Sequence, residues 1–120
     1  MLAAGTARVD ITPPIGIAHA GWGAQSHEGA EGVDMPLSIT ALVIEPDGNT
    51  NPSERIAILD IDTCILVGEY DIRIRKAVTE ASGIPAVSQR VSYTHTHSGP
   101  IEGLSWSRGS IRWLQRLPRQ

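Results

Sequence analysis

The chain has 120 residues, a formal net charge of −3 and an ordinary apolar share of 41%, which fits one small domain able to bury about two-thirds of its unfolded surface. A single cysteine, Cys64, excludes an internal disulfide and an all-cysteine zinc cluster, and no apolar run is long enough to cross a membrane. The first five residues lack the basic start and apolar centre of a secretory signal, so the default expectation is a cytoplasmic protein.

Ala7, Val9 and Ile11 alternate with Arg8, Asp10 and Thr12, which predicts a half-buried strand ended by Pro13-Pro14. Residues 15–37 are rich in glycine and carry no period, so they predict a long functional loop. Ser38–Glu45 is nearly all apolar and predicts a strand covered on both faces. Pro46-Asp47-Gly48-Asn49 is a turn signal, and Arg55–Asp62 is a second apolar run. These two runs predict an antiparallel hairpin.

Tyr70, Ile74, Ala77, Val78 and Ala81 recur at the spacing of one helical face. Glu69 and Asp71 lie in the first turn, where the helix dipole favours negative charge, and each precedes an arginine by four residues. Gly83 and Pro85 end the helix, and Gln89–Tyr93 reads as another strand. Strand, helix and strand form a βαβ unit with a right-handed crossover. The expected fold class is therefore α/β, a small mixed sheet with a βαβ unit and a long Gly-rich loop.

That topology puts Asp60 and Asp62 at the end of one strand and His95 and His97 just past the end of its parallel neighbour. All four lie at the carboxyl edge of the sheet, where open α/β proteins place ligands. Two histidines two apart on a strand project from one face, and imidazole is the commonest metal-binding side chain. The pair is thus half of a zinc site, or else two strand-end histidines that hydrogen-bond a loop.

The words around the pair narrow the choice. Thr94-His95-Thr96-His97-Ser98-Gly99-Pro100 resembles the signature of the neutral/alkaline (non-lysosomal) ceramidases, zinc amidohydrolases that cleave N-acylsphingosine. Ala7–Pro14, Gly21-Trp22-Gly23, Met35-Pro36-Leu37 with Ala41–Ile44, and Ile58–Asp62 are similar to earlier stretches of that family and occur in its order. The resemblance spans about residues 2–104, and the heptapeptide is its most specific part. It implies a zinc cofactor with His95 as metal ligand, and His97 as a catalytic group beside the metal. Gly21, Trp22, Gly23 and Asp62 are implied to contact substrate, with ceramide or a related N-acyl amide as the partner. The alternatives are packing under a loop for Trp22 and, for Asp62, a carboxylate bonded to a metal ligand or a solvated acid capping the strand.

Other residues draw weaker readings. Asp60 is expected to face water, and His19 and His27 to be loop residues rather than ligands. Ser98 lacks the Gly-x-Ser-x-Gly context of a serine nucleophile, and no phosphate-binding glycine loop is present. The barrel amidohydrolases also carry His-x-His at a strand end, but near the chain start; here some ninety residues precede it.

The family resemblance implies a further histidine, glutamate and tyrosine downstream as ligands in a longer chain. After Pro100 there is no histidine or tyrosine, and Glu102 is the only acid. Residues 1–104 are therefore expected to form the ceramidase-like segment, an incomplete and inactive piece of a larger catalytic domain. Residues 105–120, with Arg108, Arg112, Arg116, Arg119 and two of the three tryptophans, are expected to be a tail outside it. Residues 1–103 hold 6 basic against 13 acidic side chains, and the tail is short, so no nucleic-acid partner is expected. The competing expectation is a non-enzymatic remnant or interaction module without a complete metal site.

Overall fold

The computed structural model describes residues 1–17, 26–27, 29–66 and 68–100. They form a four-stranded mixed sheet with one α-helix, a small α/β fold. The strands are β1 (Leu2–Asp10), β2 (Ser38–Pro46), β3 (Ile56–Ile61) and β4 (Gln89–Tyr93), and their spatial order follows the chain. β1 pairs antiparallel with β2, from Leu2 opposite Pro46 to Asp10 opposite Ser38. β2 pairs antiparallel with β3, as the hairpin expectation required. β3 and β4 run parallel, with α1 (Glu69–Ser82) between them in sequence. The described residues hold no helix long and apolar enough to cross a membrane.

The sheet has one packed face. Register places Val43 beside Ala57, Ala41 beside Leu59 and Ile39 beside Ile61. Ala57 and Leu59 are buried together with Ile84, and Val78 of α1 closes over them. The opposite face of β3 carries Ile56, Ile58 and Asp60, of which Ile56 is 52% exposed and Asp60 is exposed. Alternation thus replaces the expected double burial of β3, and partial burial that of β2. Ile39–Glu45 are half-buried throughout, because a single helix supplies a second layer on one side only.

β1 differs from its sequence pattern in two ways. It starts at Leu2, because backbone pairing to β2 extends strand geometry through Ala3-Ala4-Gly5, where side chains give no period. Val9, expected to face a core, is 57% exposed. As an edge strand, β1 lies beyond the reach of the helix.

Helix and turns are legible in local chemistry. Gly68 and Gly83 flank α1 with φ of +61° and +73°, conformations that cost glycine no Cβ clash. Asp71 accepts from Arg75 Nε at 2.7 Å, while the Arg75 guanidinium also donates to the Gln89 carbonyl at 2.6 Å. The two N–H groups of buried Gln89 Nε2 face three acceptors, the carbonyls of Arg75 (3.2 Å) and Ile84 (2.9 Å) and Thr79 Oγ1 (2.9 Å). Helix and β4 are thereby joined at the amino end of the parallel pair. At its other end, Tyr93 donates to Asp71 at 3.2 Å. The Asp71 carboxyl lies below its ordinary value, chiefly through the Arg75 hydrogen bond.

In the stretch expected as a Gly-rich loop, the described residues hold no helix or strand. Gly16 N donates to the Ala30 carbonyl at 2.8 Å, and Ala30 N to that of Ile17 at 2.9 Å. Gly21, Trp22, Gly23 and His19, with the tail at 105–120, lie outside the described residues.

Candidate metal centre at the sheet edge

The carboxyl ends of β3 and β4 leave the ladder together. Asp62 N donates to the Ser38 carbonyl at 2.9 Å, while Thr63 N and Thr94 N both donate to the Ile61 carbonyl, at 2.9 and 3.1 Å. Beyond Thr94 the backbone turns sharply. His95 has φ +58°, the one non-glycine residue with positive φ among the described residues. For a histidine this left-handed conformation costs roughly 1–2 kcal/mol.

This turn corrects the strand-period argument for the histidine pair. β4 ends at Tyr93, so alternation cannot carry His95 and His97 to one side. They converge because the left-handed turn at His95 brings the rings together, edge to face, with centroids 5.2 Å apart at 78°. Ser98 N donates to Thr96 Oγ1 at 3.1 Å, a local bond that closes the segment around His97.

A third donor meets them there. Cys64, three residues past β3, is 6% exposed. Its Sγ lies 3.9 Å from both ring nitrogens of His95 and 4.0 Å from Nε2 of His97. One donor atom from each of the three residues falls within 4.8 Å of the others. Cys64 is buried, His97 half-buried and His95 exposed, so the sulfur forms the floor of the cluster and His95 its open side.

Sequence reasoning missed Cys64 because it weighed the lone cysteine only for disulfides and cysteine clusters. The available signal was positional. Cys64 follows the strand-end Asp62 by two residues, at the same sheet edge as the histidines.

Asp62 plays a joining role. Its Oδ2 accepts from Ser38 N (2.8 Å) and Ser38 Oγ (2.9 Å). Burial pushes its carboxyl up, but the two Ser38 bonds, a hydrogen bond from Thr94 and the charge of Arg8 outweigh it and hold the group below its ordinary value. One carboxylate thus ties the start of β2 to the ends of β3 and β4. Asp62 also lines a cleft of about 430 Å³ whose wall includes Ile17, Val33, Leu37, Thr96 and Ser98. The imidazoles and Cys64 are not among its lining residues, although Thr96 lies between the two histidines in sequence. Buried Gly99 packs the segment down, since a Cβ there would meet Leu37 Cδ1 at 2.9 Å.

The remaining expectations place simply. Asp60 is exposed and pairs in register with Ser92 on the sheet face away from the helix. His27 is exposed, apart from the Cys64 cluster. No protein-family model matches the chain, and no curated protein matches it. The ceramidase resemblance therefore rests on the motif residues alone.

Proposed function

We propose that this chain carries the metal-holding edge of a ceramidase-like, zinc-dependent amide hydrolase, acting on ceramide or a related N-acyl amide. The observation that carries the reading is the meeting of both motif imidazoles with a buried thiol at the carboxyl end of the β3–β4 pair. The donors fit zinc: imidazole and thiolate are the ligands it favours, and the exposed side at His95 leaves room for a water or substrate. Bound zinc would supply Lewis acidity and a water ionising near pH 7, at about 7 for its pKa.

His95 would hold the ion through one ring nitrogen, its ring direction set by the left-handed backbone. His97 is within reach of two tasks, joining the coordination or accepting a proton from the attacking water. The adjacent cleft offers an apolar wall for part of an acyl chain. Asp62, Thr96 and Ser98 offer polar groups for an amide or its hydroxylated base. Residues 101–120 hold neither the later histidine nor the tyrosine that the resemblance implies. The chain is expected to bind zinc and a substrate analogue.

The test uses a long-chain N-acyl hydroxamate, an amide analogue that chelates zinc. Zinc-loaded protein is expected to bind it at least tenfold more tightly than chelator-treated protein, and His95→Ala is expected to abolish that difference. Equal affinity with and without zinc would overturn the reading.

A further inference from the structure

We infer that Cys64, His95 and His97 together form a three-ligand site for a zinc-class divalent ion, complete within this chain. The inference deepens the metal reading above. It takes His97 into the ligand set, and it replaces the distant ligands implied by family resemblance with a thiolate that resemblance does not assign.

The argument begins with number. A catalytic zinc site uses about three protein ligands and leaves the fourth position to water or substrate. The sheet edge supplies three donors of the right kind within 4.8 Å of one another. Tetrahedral geometry, with bonds of about 2.3 Å to sulfur and about 2.05 Å to nitrogen, sets donors about 3.3–3.6 Å apart. The observed sulfur–nitrogen separations of 3.9–4.0 Å exceed that by about half an ångström. Rotations of the exposed His95 and half-buried His97 side chains can close the gap. Sγ is equidistant from both His95 nitrogens, so a turn of that ring in either sense brings one nitrogen forward.

The second part is chemistry. Cys64 is held on the floor of the cluster by the end of β3, so two fixed strand tips present the donors and only imidazole rotation remains. On binding, the Cys64 thiol gives its proton to solvent and the sulfur ligates as thiolate. A thiolate with two imidazoles selects zinc or cobalt over magnesium, calcium or manganese, whose preferred partners are oxygens. The third part is backbone strain, since the residue held left-handed is the one whose ring bridges sulfur and second imidazole.

Cobalt(II) provides the test, because a thiolate ligand gives a sulfur-to-cobalt charge-transfer band in the near ultraviolet. Cys64 is the only cysteine in the chain, so such a band in the wild-type protein reports this residue without any variant. Titration of the full chain with cobalt is expected to give that band together with the intense visible bands of four-coordination. Cys64→Ala is expected to lose the charge-transfer band and to bind cobalt at least tenfold more weakly. His97→Ala is expected to keep the band, weaken binding similarly and alter the visible spectrum. Circular dichroism of each variant shows that the fold is retained, and Cys64→Ser serves should the alanine variant fail to fold. Cobalt bound in a His95-dependent way without the charge-transfer band would overturn the inference and leave the metal reading standing. An unchanged visible spectrum in His97→Ala would return that residue to a proton-carrying place and overturn the three-ligand set. No cobalt bound at all would remove both.

Discussion

The two ends of the β3–β4 pair are built on opposite terms. At the amino end, Gln89, Arg75 and Thr79 exchange hydrogen bonds across helix and strand, and Ile84 is buried to 1% exposure beside Ala57. At the carboxyl end the chain leaves extended geometry and takes a left-handed turn at His95, gathering soft donors around an opening to water. One end spends its side chains on packing and on hydrogen bonds between helix and strand, although Gln89 Oε1 is buried there without a partner. The other holds a backbone conformation that packing alone does not call for, which is where a ligand site is expected.

This contrast orders the expected effects of substitution. Ile84→Ala removes the most buried large side chain among the described residues and should cost about 3 kcal/mol in urea unfolding. Zinc affinity measured below the unfolding transition should stay within twofold of wild type. A large loss of zinc affinity in folded Ile84→Ala would show that the two ends are not separable.

Asp62→Ala comes next, because it leaves the Ser38 amide and hydroxyl without their carboxylate acceptor. A loss of about 2 kcal/mol is expected, read by the same unfolding curves. The pH dependence sharpens it. The Asp62 carboxyl is held below its ordinary value of 3.8, so the unfolded chain binds more protons near that pH. Its stabilisation is complete above pH 3.8 and is lost as pH falls through the lower folded value. Wild type should therefore lose stability below pH 3.8 more steeply than Asp62→Ala. Equal acid slopes would mean that the carboxylate contributes nothing to the junction.

The smallest effect tests the strain at His95. Both His95→Gly and His95→Ala remove the imidazole, but only glycine accepts φ +58° freely. The glycine variant should be more stable than the alanine variant by about 1 kcal/mol. Equal stabilities would show that the turn relaxes at no cost and carries no preorganisation.

Much of the fold was readable from local patterns. Gly83 and Pro85 marked the helix end, Pro46–Asn49 marked the hairpin turn, and the order strand–helix–strand fixed the parallel pair. What the pattern could not give was how many layers cover the sheet. The apolar runs of β2 and β3 suggest burial on both faces, yet one helix covers only one face. Edge exposure at Val9 follows from the same limit. At the site, the two histidines do lie together, but not through the expected geometry, since a single left-handed residue rather than strand alternation unites them. Cys64 went unread because its significance is spatial: it depends on where two parallel strands end relative to each other, and spacing along the chain does not encode that distance.

The most direct test of the proposed metal centre is zinc stoichiometry and affinity of the full chain beside His95→Ala, measured by competition with a chromophoric chelator. The account predicts one zinc per wild-type chain and at least a hundredfold weaker binding in His95→Ala, with unchanged circular dichroism. Equal zinc binding by the two proteins would contradict it.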